Sequence, residues 1–198
     1  MPTKAEQRER TRVAILEIAA RRFSEHGYVG VALEDVVAEA GLTRGALYHH
    51  FGSKSGLFRA VVEHAQRDVA QAVEVAASGV EAPLESFLAG CRAFLDASLA
   101  PQVRRILLVD GPAVLGWDDW REGDLDTSVR LLDEGVAELA EAGVIGGERL
   151  GTVATMISGA LNEVAIANAT AADAAGEIDA AIDTLARLLS GLSPNRAP

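Results

Sequence analysis

Arg44 and Tyr48 stand four residues apart, as do Gly45 and His49, in the stretch Gly-Leu-Thr-Arg-Gly-Ala-Leu-Tyr-His-His-Phe-Gly-Ser-Lys that spans residues 41–54. On a helix that spacing puts the four positions on one contiguous face, with Leu47 and Phe51 marking the opposite, inward stripe. A guanidinium, a phenol, an imidazole and a residue without a side chain suit close approach to a polyanion. They suit an apolar core badly. The chemistry they point to is recognition of double-stranded DNA.

Other chemistries find little support. The chain has no His-Glu-x-x-His helix, no Glu-x-x-His pair of the kind that holds di-iron sites, no nucleophile elbow and no Walker-type phosphate loop. No catalytic residue, metal ligand or cofactor is therefore expected. Cys91 is the single cysteine and lies amid Phe87, Leu88, Phe94 and Leu95, so it reads as core filler. One cysteine permits no internal disulfide and fits a reducing cytoplasm. The polar, basic start of the chain, residues 1–12, does not read as a signal peptide. No apolar run stands out as a membrane span, which needs about 18 to 20 residues.

The net charge of −11 is unevenly spread. Residues 1–60 carry nine Lys/Arg against seven Asp/Glu, and residues 61–198 carry nine against twenty-two. A mildly basic N-terminal third on a strongly acidic remainder fits a small DNA-reading head on a solvated body, and argues against a nonspecific nucleic-acid coat.

The elements that would position this face are helical. Hydrophobic content of 49%, rich in Ala, Leu and Val, with 5% aromatic residues, favours an all-α protein. Ile15, Ala19 and Phe23 recur every four residues in a predicted helix over 4–26, which Gly27 is placed to end. A short helix is expected over 33–40, with Glu34 and Asp35 in its first turn and Gly41 after it. Thr43 can cap the next helix through its hydroxyl. Helix, short glycine turn, helix is the pattern of a helix-turn-helix. Further helices are expected near 54–77, 83–99, 101–109, 124–142, 148–170 and 174–191, with a turn at Asp110-Gly111-Pro112 and an irregular stretch or short helix over 113–121.

Ile15, Ala19, Phe23 and Gly27, followed by the run from Ala40 through Leu-Tyr-His-His-Phe-Gly-Ser-Lys at Lys54, resemble the TetR family of bacterial transcriptional regulators. The resemblance covers roughly the first 60 residues. It implies a three-helix head over residues 1–54, and over 55–198 a larger helical domain that senses a small molecule and dimerises through its last two helices. Carried over by position, Thr43, Arg44, Gly45, Tyr48, His49 and Lys54 would contact a palindromic operator. Two positions depart from the pattern: Val31-Ala32 stand where a hydroxyl usually caps the second helix, and Val37 stands where Ala is usual. Arg8, Arg10 and Arg12 could extend the footprint as a flexible basic arm.

An effector pocket in the second domain would draw on Phe87, Phe94, Trp117, Trp120, Met156 and Asn162, the last a rare polar group on an otherwise apolar helix. The acids Asp118, Asp119, Glu122, Asp124 and Asp126 read as a solvated loop, with attraction of a cationic effector as the alternative. The residues read as a DNA-binding regulator; that it is a homodimeric repressor released by an effector is what the resemblance implies. Its rivals are a helical enzyme and a protein-interaction module without sequence-specific DNA binding.

Overall fold

Thr3 opens the first helix with a reciprocal cap: its hydroxyl accepts from the Glu6 amide while the Glu6 carboxylate accepts from the Thr3 amide at 2.7 Å. The computed structural model describes residues 3–171 and 173–193, and every regular element among them is helical. They form α1 (Lys4–Gly30), α2 (Leu33–Glu39), α3 (Arg44–Phe51), α4 (Lys54–Ala77) and α5 (Pro83–Leu99), then a wide-turned π-helical stretch (Arg105–Asp110) running into α6 (Gly111–Leu115). The remainder is α7 (Trp117–Asp124), a second π-helical stretch (Leu125–Val129), α8 (Arg130–Glu141), α9 (Leu150–Asn168) and α10 (Ala175–Gly191).

These elements fold as two compact units, one running from the N-terminus through Ala65 together with Pro101–Trp120, the other comprising Gln66–Ala100 and Arg121 onward. In the first unit, α1 buries Ile15, Leu16, Ala19 and Phe23. Phe58 of α4 meets Phe23 edge-on at 5.0 Å between ring centroids and Tyr28 at 5.0 Å. Leu57, Phe58, Val61 and Val62 are all essentially excluded from solvent. The core of the head thus needs the first three turns of α4, and its compact unit extends past the expected limit at residue 54.

Gly27 interrupts α1 as expected, with φ +72°, although a last turn continues through Gly30. A side chain there would be strained by the backbone and would also collide with the Arg105 guanidinium. Below that break, the Tyr28 amide donates to Asp110 Oδ2 at 2.8 Å, Arg105 Nε lies 3.5 Å from the same oxygen, and the Ser24 hydroxyl donates to the Pro101 carbonyl at 3.3 Å. Residues 101–120 are thereby tied to the head. The turn expected at Asp110-Gly111-Pro112 is helical instead. Pro112 sits in the first turn of α6, directly after the π-helical stretch that ends at Asp110.

The second unit packs α5 against α8, α9 and α10, with Leu95, Val136, Leu139, Ala165 and Leu189 in its core. By length and composition α9 would pass for a membrane span, with 19 residues and mean hydropathy 1.3, contrary to the sequence expectation. Its apolar character comes largely from Ala, Val, Ile and Leu, and one face of it packs within this unit.

Candidate nucleic-acid interface

The turn between α2 and α3 is made by Gly41, whose φ of +63° lets the chain reverse without a Cβ penalty. Thr43 then caps α3, accepting from the Ala46 amide at 3.3 Å. Leu47 is 1% exposed and anchors the helix to the core. Its opposite face carries Thr43, Arg44, Gly45, Tyr48 and His49, all exposed. The structure brings these five residues together as one open row on a two-turn helix. Ala32 makes no side-chain cap on α2, in keeping with the departure noted at that position.

Arg44 is already oriented. Its guanidinium lies 3.1 Å from Glu34 Oε1, donates to the Tyr48 hydroxyl at 3.3 Å and sits 5.5 Å from the Tyr48 ring centroid. The Tyr48 hydroxyl, and then the Glu34 carboxylate, raise its pKa above the ordinary arginine value, so the charge is permanent. An exposed pair such as Arg44–Glu34 is worth little and is readily exchanged for another acceptor.

Lys54 is placed differently from the other candidates. It is half-buried, its ammonium lies 4.6 Å from the Tyr28 ring centroid, and it donates to the Val29 carbonyl at 3.4 Å. It therefore ties the start of α4 to the end of α1. Lys54→Ala is expected to lower head stability by roughly 0.5–1 kcal/mol, the worth of an accessible cation–π contact, and to weaken specific and nonspecific duplex alike. Thermal melts beside gel shifts on both duplexes would check this; a variant with unchanged melting and unchanged binding contradicts it.

Arg8, Arg10 and Arg12 do not form a flexible arm. They lie in the first turns of α1, where Arg12 pairs with Glu9 at 3.5 Å. Arg21 and Arg22 are structural: Arg22 Nε meets Glu39 Oε2 at 2.8 Å, and Arg21 pairs with the other oxygen of the same carboxylate. They offset an acid in the last turn of α2, where the helix dipole disfavours one.

His50 is turned away from the exposed row. Partial burial first, then Arg8, His49 and Arg12, push its pKa below the ordinary 6.5. With the folded value depressed, the unfolded chain takes up the proton more readily, so this contribution is intact above pH 6.5 and is lost as pH falls below it. His50→Gln is expected to flatten that acid-side decline in melting temperature, measured by calorimetry from neutral to mildly acidic pH. An unchanged slope would dismiss it.

The second unit contains a cavity of about 330 Å³ lined from α4, α5, α8 and α9 and by Asp124, Ser128 and Val129. Phe87, Phe94 and Asn162 lie on its wall. The other three expected pocket residues do not. Trp117 and Trp120 belong to the first unit, where their rings pack 5.1 Å apart, Trp120 buried and Trp117 56% exposed. Met156 is 71% exposed, because the helical turn that aims Ser158, Leu161 and Asn162 at the cavity carries Met156 to the opposite face.

Asp124 corrects the solvated-loop reading: it is buried, and burial raises its pKa against the opposing pull of Arg121 and Asn162. Asp119 pairs with Arg59 at 2.5 Å, while Asp118 and Glu122 are exposed. Ser158 and Asp124 are buried polar cavity residues outside the six expected pocket positions. Ser158 stands four residues before Asn162 on the same helix face, and that spacing was the available signal.

A three-helix head whose second and third helices meet at a glycine turn, with a polar cationic row on the third, defines a helix-turn-helix protein. Residues 15–61 match the family model described as bacterial regulatory proteins, tetR family, and residues 84–192 match the tetracyclin repressor-like C-terminal domain. The chain belongs to the TetR family, and its head is that family's DNA-binding domain. It is 35% identical to a TetR-family transcriptional regulator from Pectobacterium atrosepticum, with 98% of each chain covered and a TM-score of 0.81. It is 33% identical over 122 residues to the transcriptional repressor AcnR of Corynebacterium efficiens, a match spanning 61% of this chain and 63% of that repressor. The chain thus aligns with less than two thirds of that relative's length. RolR, in complex with the ligand resorcinol, shares the fold at 20% identity and a TM-score of 0.71, with 98% of each chain covered.

Proposed function

We propose that the protein is a cytoplasmic, homodimeric repressor that reads a palindromic operator through α3 and leaves it when a small molecule occupies the cavity of the second unit. It acts by binding and not by catalysis. The observation that carries this reading is the exposed row Thr43, Arg44, Gly45, Tyr48 and His49 on a helix pinned from behind by Leu47.

In a helix-turn-helix the N-terminal residues of the recognition helix meet base edges, and its flanks meet phosphates. Arg44, at the first position of α3, is assigned to a guanine edge. Thr43, Tyr48 and His49 are assigned to phosphates or adjacent bases, and Gly45 admits the DNA backbone. Dimerisation is supported by the uncovered faces of the last two helices. On α9 these include Thr152, Thr155, Met156, Gly159, Ala160, Glu163 and Ala167; on α10 Leu188 is 64% exposed and Leu192, just past its end, is 47% exposed. Small residues with a few large apolar ones permit close helix contact. Effector release is supported by the cavity, and by RolR, a fold relative with a bound phenolic ligand.

Genomic footprinting with purified protein tests the reading. A protected palindrome whose half-sites lie on one face of the duplex is the expected result. Equal affinity for all genomic fragments would refute sequence-specific regulation and favour a protein-interaction module.

A further inference from the structure

The cavity wall is apolar over most of its extent, through Val73, Phe87, Phe94, Leu132 and Leu161, but it holds one buried polar cluster. Asp124, Ser158 and Asn162 all lie on the lining and are all buried. Asn162 Nδ2 donates to Asp124 Oδ2 at 3.2 Å, Arg121 pairs with that same oxygen, and the other arm of Arg121 donates to Ser158 Oγ at 2.9 Å. Buried polar side chains on an otherwise apolar wall fix the orientation of a ligand and select its head group.

The charge on the wall has one sign. Its ionisable side chains, apart from the Cys91 thiol, are Glu74, Asp124, Glu134 and Glu138, and no lysine, arginine or histidine lies on it among the described residues. Arg121 is committed to Asp124, and Arg130 to Glu134 at 2.6 Å and Glu74 at 3.7 Å. An anion entering here would shed its hydration with no countercharge to replace it.

We propose that this cavity takes a non-anionic aromatic or alicyclic amphiphile of about a dozen non-hydrogen atoms, near the small end of the usual pocket range. Its ring lies against Phe87 and Phe94, and its hydroxyl or ammonium donates a hydrogen bond to Asp124 Oδ1. The assignment rests on the effector-release reading and gives that effector a chemical class.

One ring body with four heads tests it: naphthalenemethanol, naphthylmethylamine, naphthoate and methylnaphthalene, titrated calorimetrically into the full-length protein. The alcohol and the amine are expected to bind at least about tenfold more tightly than the carboxylate and the hydrocarbon, the size of one hydrogen bond to a charged acceptor. Asp124→Asn is expected to narrow the ratio of amine to naphthoate affinity, and the wild-type series stands whether or not that variant folds. Naphthoate or methylnaphthalene matching the alcohol overturns the proposal, as does failure of both donors to bind. Operator affinity is measured on the same samples. Donor binding that leaves it unchanged defeats effector release but not the ligand class; operator release by naphthoate defeats the class but not effector release.

Discussion

Replacing Arg44 with alanine is expected to erase most of the difference in affinity between operator and unrelated duplex, while weak, salt-sensitive binding to both persists. A bidentate arginine on a guanine edge is worth about 1–3 kcal/mol of discrimination at each half-site, and a symmetric dimer presents two. The loss of preference should therefore reach roughly a hundredfold or more. Phosphate contacts carry the nonspecific term, and α3 retains Thr43, Tyr48 and His49 for them. Glu34 and Tyr48 lie 3.1 and 3.3 Å from the guanidinium, contacts weak enough to be exchanged for a base edge. Arg44→Lys separates charge from geometry: it keeps the cation, loses the fork, and should behave nearly as badly as alanine for discrimination. Gel shifts on operator and scrambled duplex over a salt series read both quantities. A variant that keeps the full wild-type ratio removes Arg44 from base readout.

Why the reading helix was legible and its supports were not follows from how far apart the interacting residues lie. α3 is bounded by Gly41 and Gly52, capped by Thr43 and anchored by Leu47, all within a dozen residues, so periodicity and capping suffice to place it. The clamp around Asp110 joins residues 82 positions apart, and no local pattern announces it. That clamp is why Trp117 and Trp120 fold with the head, although their apolar bulk suggested a pocket in the other domain. Met156 lies off the cavity for a different reason: on a helix with apolar residues nearly all round, composition does not reveal which side faces inward. Asn162 lies on the cavity wall, where polarity on such a helix is costly unless it is partnered, and Asp124 is the partner. Lys54 illustrates a third limit, since a lysine at a helix start reads as a phosphate contact whether or not an aromatic ring lies beneath it.

Placing a charge at the centre of the proposed subunit interface should have the larger effect on operator occupancy. Met156 and Leu188 are 71% and 64% exposed within one subunit, so glutamate at either position disturbs little of the subunit's own packing. In a dimer formed by α9 and α10 the same carboxylates would be buried without partners, and buried unpaired charge is costly enough to separate the chains. Each freed head would then meet a single half-site. Two linked heads gain an effective concentration in the millimolar range for the second half-site, an advantage of about 10²–10⁴-fold that requires no new contact. M156E combined with L188E is therefore expected to elute as a monomer with an unchanged helical circular dichroism spectrum, and to lose operator affinity by at least two orders of magnitude. Binding to an isolated half-site should stay close to that of wild type, because Thr43, Arg44, Tyr48 and His49 are untouched. Light scattering that still reports a dimer would place the interface elsewhere on the chain. A monomer with undiminished operator affinity would show that one head suffices, and the palindrome would lose its physical basis.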